Sequence, residues 1–127
     1  MPTAIATFEL DQWDPQAQDT SGGTEFARVA IAKTFTGAVE GTSNVEMLTA
    51  SNAVSRAYVA FERLSVSVDG RNGSFVLRHA AGDDGLGLVI LAGSGTGELA
   101  GISGTASIAV DEAGAHTFTL TYELPAA

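Results

Sequence analysis

Three side chains in the central part of the sequence have the chemistry to move a proton on a bound molecule. Glu62 and His79 are residue types that act as general acids and bases, and Tyr58 can donate a hydrogen bond. All three interrupt runs that are rich in Val, Phe and Leu. A carboxyl and an imidazole that meet in apolar surroundings perturb each other's protonation, which makes them a candidate acid/base couple. The structural alternative is a satisfied internal hydrogen bond.

These residues belong to a predicted β-hairpin over residues 58–79, whose connection holds an Asp-Gly and an Asn-Gly dipeptide. The alternating apolar side chains of the two arms face the same side of the hairpin only if the turn has an even length, as with two residues at 71–72 or 72–73. In the first register His79 lies opposite Leu64 and diagonal to Glu62, at a backbone separation of about 7 to 8 Å.

The same alternation sorts the polar side chains of the hairpin. It predicts that Tyr58, Glu62 and His79 share the inner face, with Arg63 and Arg78 outside. A bulge near Glu62 that turns this carboxyl outward is the alternative.

Two residues elsewhere extend the candidate site. Glu46 faces inward if the loop over residues 49–55 closes symmetrically, and faces solvent if Val45 and Met47 point inward; the pattern leaves both open. Trp13, the only tryptophan, is predicted to plug one mouth of the fold, with stacking against a ligand as the alternative.

Eight β-patterned segments follow one another along the chain with short turns and no amphipathic helix. A polar connection is predicted over residues 11–20. The pattern favours an all-β, eight-stranded antiparallel β-barrel with little or no helix, forming a single domain over residues 1–127. The predicted strands cover residues 3–10, 25–35, 39–48, the two arms of the hairpin, 86–92, 105–110 and 116–124.

Composition excludes several classes of function. A net charge of −9 disfavours nucleic acid and anionic membranes as partners. The absence of cysteine removes a disulfide framework and a thiolate nucleophile. The two histidines, His79 and His116, have no metal-ligand spacing, and the Gly-rich stretch after residue 93 lacks the helix of a nucleotide site. We expect no metal, no cofactor, no membrane segment and a cytoplasmic location.

Four segments resemble a bacterial family of unknown function with allene oxide cyclase-like barrels. They are KTFTGAVEGTSNVEML, YVAFERLSVSVDGRNGSFVLRH, GSGTGELAGISGT and the closing YEL, within a likeness that runs from about residue 8 to residue 124. The resemblance implies an apolar pocket and a homo-oligomer. The wider group includes plant allene oxide cyclases and dirigent-type proteins, which steer a reactive intermediate without a cofactor.

Carried onto this chain, the family pattern falls on Trp13, Glu46, Tyr58, Glu62 and His79. Arg78 stands where the pattern leads us to expect Gln before the histidine. An outward Arg78 leaves the site unchanged, whereas an inward one would hold Glu62 ionised.

The leading functional hypothesis is a cofactor-independent isomerase or cyclase that acts on a small apolar metabolite in the barrel. Glu62 and His79 are its predicted catalytic residues. The predicted substrate-binding residues are Tyr58, Glu46, Trp13, Leu64 and Phe75. One alternative is a carrier or sequestering protein for a hydrophobic small molecule. The other is a structural oligomer whose barrel is packed shut by Leu64, Val66, Phe75, Leu77 and Phe118.

Overall fold

The computed structural model describes residues 1–82 and 85–125, which form nine β-strands and one 3₁₀ helix, Ser21–Gly23. Within these residues, no helix is long and apolar enough to cross a membrane. The strands, numbered in chain order, are β1 (Thr3–Asp19), β2 (Glu25–Gly37), β3 (Val39–Ser51), β4 (Arg56–Val68), β5 (Arg71–Gly82), β6 (Gly85–Ile90), β7 (Thr96–Gly97), β8 (Ser103–Val110) and β9 (His116–Glu123).

Eight of these strands close into an antiparallel barrel. Strands β1 to β6 pair in chain order, β6 pairs with β8, β8 with β9, and β9 returns to β1. The two residues of β7 pair only with β5, outside the ring. Closure gives the eight barrel strands a neighbour on both sides, so that none is left as an open edge. The predicted all-β barrel is confirmed.

Strand β1 is longer than predicted, because the polar stretch over residues 11–20 continues it as far as Asp19. Register shifts between Leu10 and Gln12 and between Pro15 and Ala17 interrupt its pairing with β2. A bulge re-aims the side chains that follow it, and here Trp13 pairs with the inward-facing Ile31. The prediction of a connection was wrong because two bulges break the period-two pattern without ending the strand.

The central hairpin turns two residues earlier than predicted. Val68 pairs with Arg71, so that Asp69 and Gly70 form the turn, with φ angles of 49° and 86°. Two successive positive φ angles are those of a type I′ turn, for which Asp-Gly is a preferred sequence. The turn has the expected even length. The face of every side chain on β4 and β5 therefore agrees with the alternation, although His79 pairs with Ala60 and not with Leu64.

The barrel interior has two unlike halves. One half is filled by apolar side chains from all around the barrel and is plugged by Leu99 and Ile102 of the loop after β6. This closed half includes Phe35, Leu64, Phe75, Leu77, Phe118 and Leu120, each at most 1% exposed. The other half has a smaller group of buried apolar residues, which are Val29, Ile31, Val45, Met47 and Ala60.

Candidate functional site

Four polar side chains lie between the two halves of the barrel interior and form what we call the polar floor: Lys33, Ser43, Glu62 and His79. They come from β2, β3, β4 and β5, and each is at least nine-tenths buried. Lys33 pairs directly with Ser43, whereas Glu62 is diagonal to Ser43 on one side and to His79 on the other. Inward alternation on four neighbouring strands therefore brings them together.

The Glu62 carboxylate is the centre of the polar floor. Its Oε1 accepts hydrogen bonds from His79 Nε2 at 2.8 Å and from Lys33 Nζ at 3.3 Å. Its Oε2 accepts a hydrogen bond from Ser43 Oγ at 2.5 Å. Glu62 itself is 0% exposed. A carboxylate buried this deeply is stable only when it is paired and hydrogen-bonded, and this one is both.

Opposing influences act on the ionisation of Glu62. Burial would raise its pKa, but the hydrogen bond from His79, the charge of Lys33 and the hydrogen bond from Ser43 outweigh burial and lower the pKa below its ordinary value. Glu62 is therefore ionised at neutral pH. Burial of the Tyr58 hydroxyl and, to a smaller extent, the negative charge of Glu62 raise the pKa of Tyr58. Tyr58 therefore remains a neutral hydrogen-bond donor.

The ionised carboxylate fixes the tautomer of His79. A carboxylate only accepts hydrogen bonds, so Nε2 carries a proton and donates it to Glu62. In the neutral ring, Nδ1 then holds the lone pair. Nδ1 has no hydrogen-bond partner among residues 1–82 and 85–125 and is not sealed from solvent. His79 thus presents a basic nitrogen that Glu62 orients from behind.

A cavity of about 790 Å³ occupies the open half of the barrel above the polar floor. Its walls include the apolar residues of that half, and Lys33 and His79 line it from the floor. Glu62 is not among the lining residues, because it lies behind these two side chains. An apolar cavity with a few convergent polar groups is the usual form of a small-molecule site.

Aromatic side chains line the cavity from the polar floor to its mouth. His116 stacks on Phe8 with ring centroids 4.9 Å apart, and Lys33 Nζ lies 4.5 Å from the centroid of the same Phe8 ring. Trp13 lines the mouth with 56% of its surface exposed, and Tyr58 lines it from β4. Trp13 therefore borders an open mouth and does not plug it.

Three residues predicted to bind substrate lie elsewhere. Glu46 is exposed on the outer face of β3, since Val45 and Met47 point inward, which decides between the two orientations left open. Leu64 and Phe75 pair with each other in the closed half and are 0% exposed. They are separated from the cavity because they lie on the far side of the polar floor.

Sequence reasoning missed Lys33 as part of the site. The signal was present: Lys33 occupies the same alternation set as Val29, Ile31 and Phe35, so an inward strand face contained one cation. A charge on an apolar face indicates a buried partner. His116 was considered only in arguing against a metal site, and its place on the cavity wall depends on the pairing of β9 with β1, which local pattern does not give.

The described part of the chain contains no group of three His, Asp or Glu side chains arranged to hold a metal ion.

Comparison with protein-family models matches residues 4–122 to the family described as "Protein of unknown function (DUF3224)". The chain belongs to this family. A crystal structure of a DUF3224 protein of unknown function from Shewanella oneidensis MR-1 is 36% identical in sequence, with a TM-score of 0.91 over 99% of both chains. No curated protein matches. The predicted family of unknown function is confirmed, whereas its link to allene oxide cyclases stays a prediction.

Proposed function

We propose that the barrel cavity binds a small, largely apolar molecule and that the protein acts on it as a cofactor-independent isomerase or cyclase. The observation that carries this proposal is the arrangement of His79, which lines the cavity and donates from Nε2 to the buried Glu62 carboxylate at 2.8 Å, while Nδ1 has no partner among the described residues and is open to solvent. This arrangement suits a general base.

His79 would be the catalytic residue and Glu62 a positioning residue. When Nδ1 takes a proton from the bound molecule, the imidazolium that forms lies against an ionised carboxylate, which stabilises it. The proton can then return to another atom of the same molecule. The reaction requires no group beyond this chain, since nothing is oxidised or reduced. The resemblance to allene oxide cyclase-like barrels supports chemistry that depends on shaping one reactive conformer.

Proton exchange tests the proposal without a known substrate. The protein is incubated in deuterium oxide with a series of small apolar ketones, and the loss of hydrogen next to the carbonyl is followed by NMR. We expect at least one ketone to exchange faster with the protein than without it, and His79→Asn to abolish the difference. Arg63→Asn, on the exposed outer face of the same hairpin, is the control and should exchange as the unmodified protein does. Equal exchange in His79→Asn and the unmodified protein contradicts the proposal.

A second candidate function is the carriage of a hydrophobic small molecule, favoured by the apolar walls and open mouth of the cavity. Native mass spectrometry of the purified protein distinguishes the two. A bound molecule that is released chemically unchanged, with no exchange of any ketone in the series, favours carriage. The packed-barrel alternative describes only the closed half of the interior.

A further inference from the structure

The polar floor offers the cavity a second group besides His79, namely the ammonium of Lys33. An ammonium has three N–H donors. Within the described residues, Lys33 Nζ donates one hydrogen bond, the one to Glu62 at 3.3 Å, and the face of the Phe8 ring lies 4.5 Å away. Donors therefore remain for a molecule in the cavity, which Lys33 lines.

The charges around the floor favour an oxygen that gains negative charge. Glu62 lies behind Lys33 and His79 and does not reach the cavity, so a bound molecule meets the cation and not the carboxylate. At 7% exposure, Lys33 acts in a medium where water screens its charge little. A hydrogen-bond donor in such a place stabilises charge as it develops.

We propose that Lys33 is an oxyanion-binding group and that the ligands of this cavity are apolar carbonyl compounds with a C–H bond next to the carbonyl. This inference rests on the proposed function for its reaction, because His79 Nδ1 would take the proton from that C–H bond. The C–H electron pair becomes the carbon–carbon double bond of an enolate, and the carbonyl π pair moves onto the oxygen beside Lys33. Where the ligand also carries a carbon–carbon double bond beside that C–H bond, the anion is a dienolate, and His79 returns the proton to the far carbon of that double bond while the double bond moves next to the carbonyl, which completes an isomerisation.

Binding of two matched probes tests the oxyanion site without turnover. Para-nitrophenol gives a phenolate that resembles an enolate on an apolar ring, whereas para-nitroanisole has a similar shape and cannot ionise. We expect the protein to bind the phenolate about ten- to a hundredfold more tightly than the ether, the range for a hydrogen bond to a charged group. Lys33→Met should abolish this preference.

Two further variants control for folding and for simple loss of charge. Lys33→Met combined with Glu62→Gln removes both charges of the pair and should also lose the preference. Arg71→Met removes a cation from the exposed first residue of β5, next to the hairpin turn at the closed end, and should keep the preference. Equal binding of both probes, binding of neither, or a preference that survives loss of Lys33 overturns the inference. Phenolate preference without ketone exchange would instead contradict only the proposed catalysis.

Exposed apolar side chains lie together on the outer face of β2 to β6 and form what we call the outer patch. Phe26, Leu48, Val59 and Phe61 are each more than half exposed, and three of them border a shallow groove of about 680 Å³. An exposed apolar patch of this kind marks an interaction surface.

Charges on this outer patch fit a second copy of the chain. Phe61 pairs with Glu46 on one side and with Arg78 on the other, so that an acid, an aromatic ring and a base form one row across three strands. A two-fold axis along β4 would stack Phe61 on the partner's Phe61 and would place Glu46 over the partner's Arg78 twice, while Arg63, two residues along the same face of β4, would lie beside its own copy at the margin of the contact. The remaining acidic surface of a chain with net charge −9 opposes association by other faces.

We infer that this patch is the interface of a homodimer, and a charge swap tests it. Sedimentation over a dilution series should show a dimer that Glu46→Arg or Arg78→Glu weakens and that the double variant restores. Phe61→Asp should also weaken it, whereas Ile5→Asp, at a similarly exposed residue of β1, should not. A monomer at every concentration, or a double variant as weak as either single one, overturns the inference.

Discussion

Replacing Glu62 by Gln should destabilise the protein strongly, because it leaves Lys33 charged and buried without its counter-ion. The Lys33 Nζ to Glu62 Oε1 distance is 3.3 Å. At an effective dielectric constant of about 20, two unit charges at this distance attract by about 5 kcal/mol. Removing one partner of a buried pair costs about 3 to 5 kcal/mol in free energy of unfolding. We expect Glu62→Gln to fall in that range.

The double variant Lys33→Met with Glu62→Gln should lose less free energy of unfolding than the sum of the losses of the two single variants. Removing both charges leaves neither one unpaired, so its free energy of unfolding should lie within about 2 kcal/mol of the unmodified protein. The coupling between the two sites should reach about 3 kcal/mol, as for residues in direct contact.

At acidic pH, the free energies of unfolding of Glu62→Gln and the unmodified protein should differ less than they do at neutral pH. The folded protein lowers the pKa of Glu62 below its unfolded value of about 4.3, so the stabilisation from its ionised form is fully present above that value. It is lost as pH falls through the lower, folded-state pKa. The Gln variant has no such group and lacks this pH dependence.

Urea unfolding at neutral and acidic pH measures all of these quantities. It compares the unmodified protein, Glu62→Gln, Lys33→Met and the double variant. A loss in Glu62→Gln of less than about 1 kcal/mol, the range of an ordinary exposed pair, would refute the reasoning. So would a double variant whose loss equals the sum of the single losses, because Lys33 and Glu62 would then not interact.

Three further predictions concern other parts of the barrel. Tyr122→Phe removes the hydrogen bond from its hydroxyl to Asp69 Oδ2, at 2.5 Å, and should lower the free energy of unfolding in urea by about 1.5 to 3 kcal/mol; no change would mean that this bond does not hold the hairpin turn. Burial raises the pKa of both Tyr58 and Tyr122, so an absorbance titration should find neither half-ionised by about pH 10. Ala60→Leu should fill space beside the polar floor and weaken para-nitroanisole binding about tenfold. The free energy of unfolding measured in urea should change by no more than about 1 kcal/mol.

The fold was predictable because period-two alternation and turn sequences are local signals. Asp69 and Gly70 specify the central hairpin through their own backbone preferences, and every predicted barrel strand is present, although the one predicted over residues 86–92 ends two residues early, at Ile90. The error over residues 11–20 arose because a bulge shifts the side-chain pattern by one residue, and such a pattern cannot be told from the end of a strand.

The site was predictable only in the part that lies on one hairpin. Glu62 and His79 are diagonal neighbours in the predicted register and in the observed one, so an error of two residues in the turn did not separate them. Lys33 and Ser43 reach Glu62 through the registers of β2 with β3 and β3 with β4. Those registers, and the side on which Leu64 and Phe75 fall, depend on how the whole barrel closes.

The polar floor also separates two demands that often conflict within one protein. Most residues of the larger packed core lie on one side of it, and most residues that would select a ligand lie on the other, with Phe8 belonging to both. Substitutions in the cavity walls can therefore alter which molecules fit without weakening the packed core. A barrel of this kind can acquire new ligand preferences at little cost in stability, while the proton-transfer group beneath them stays in place.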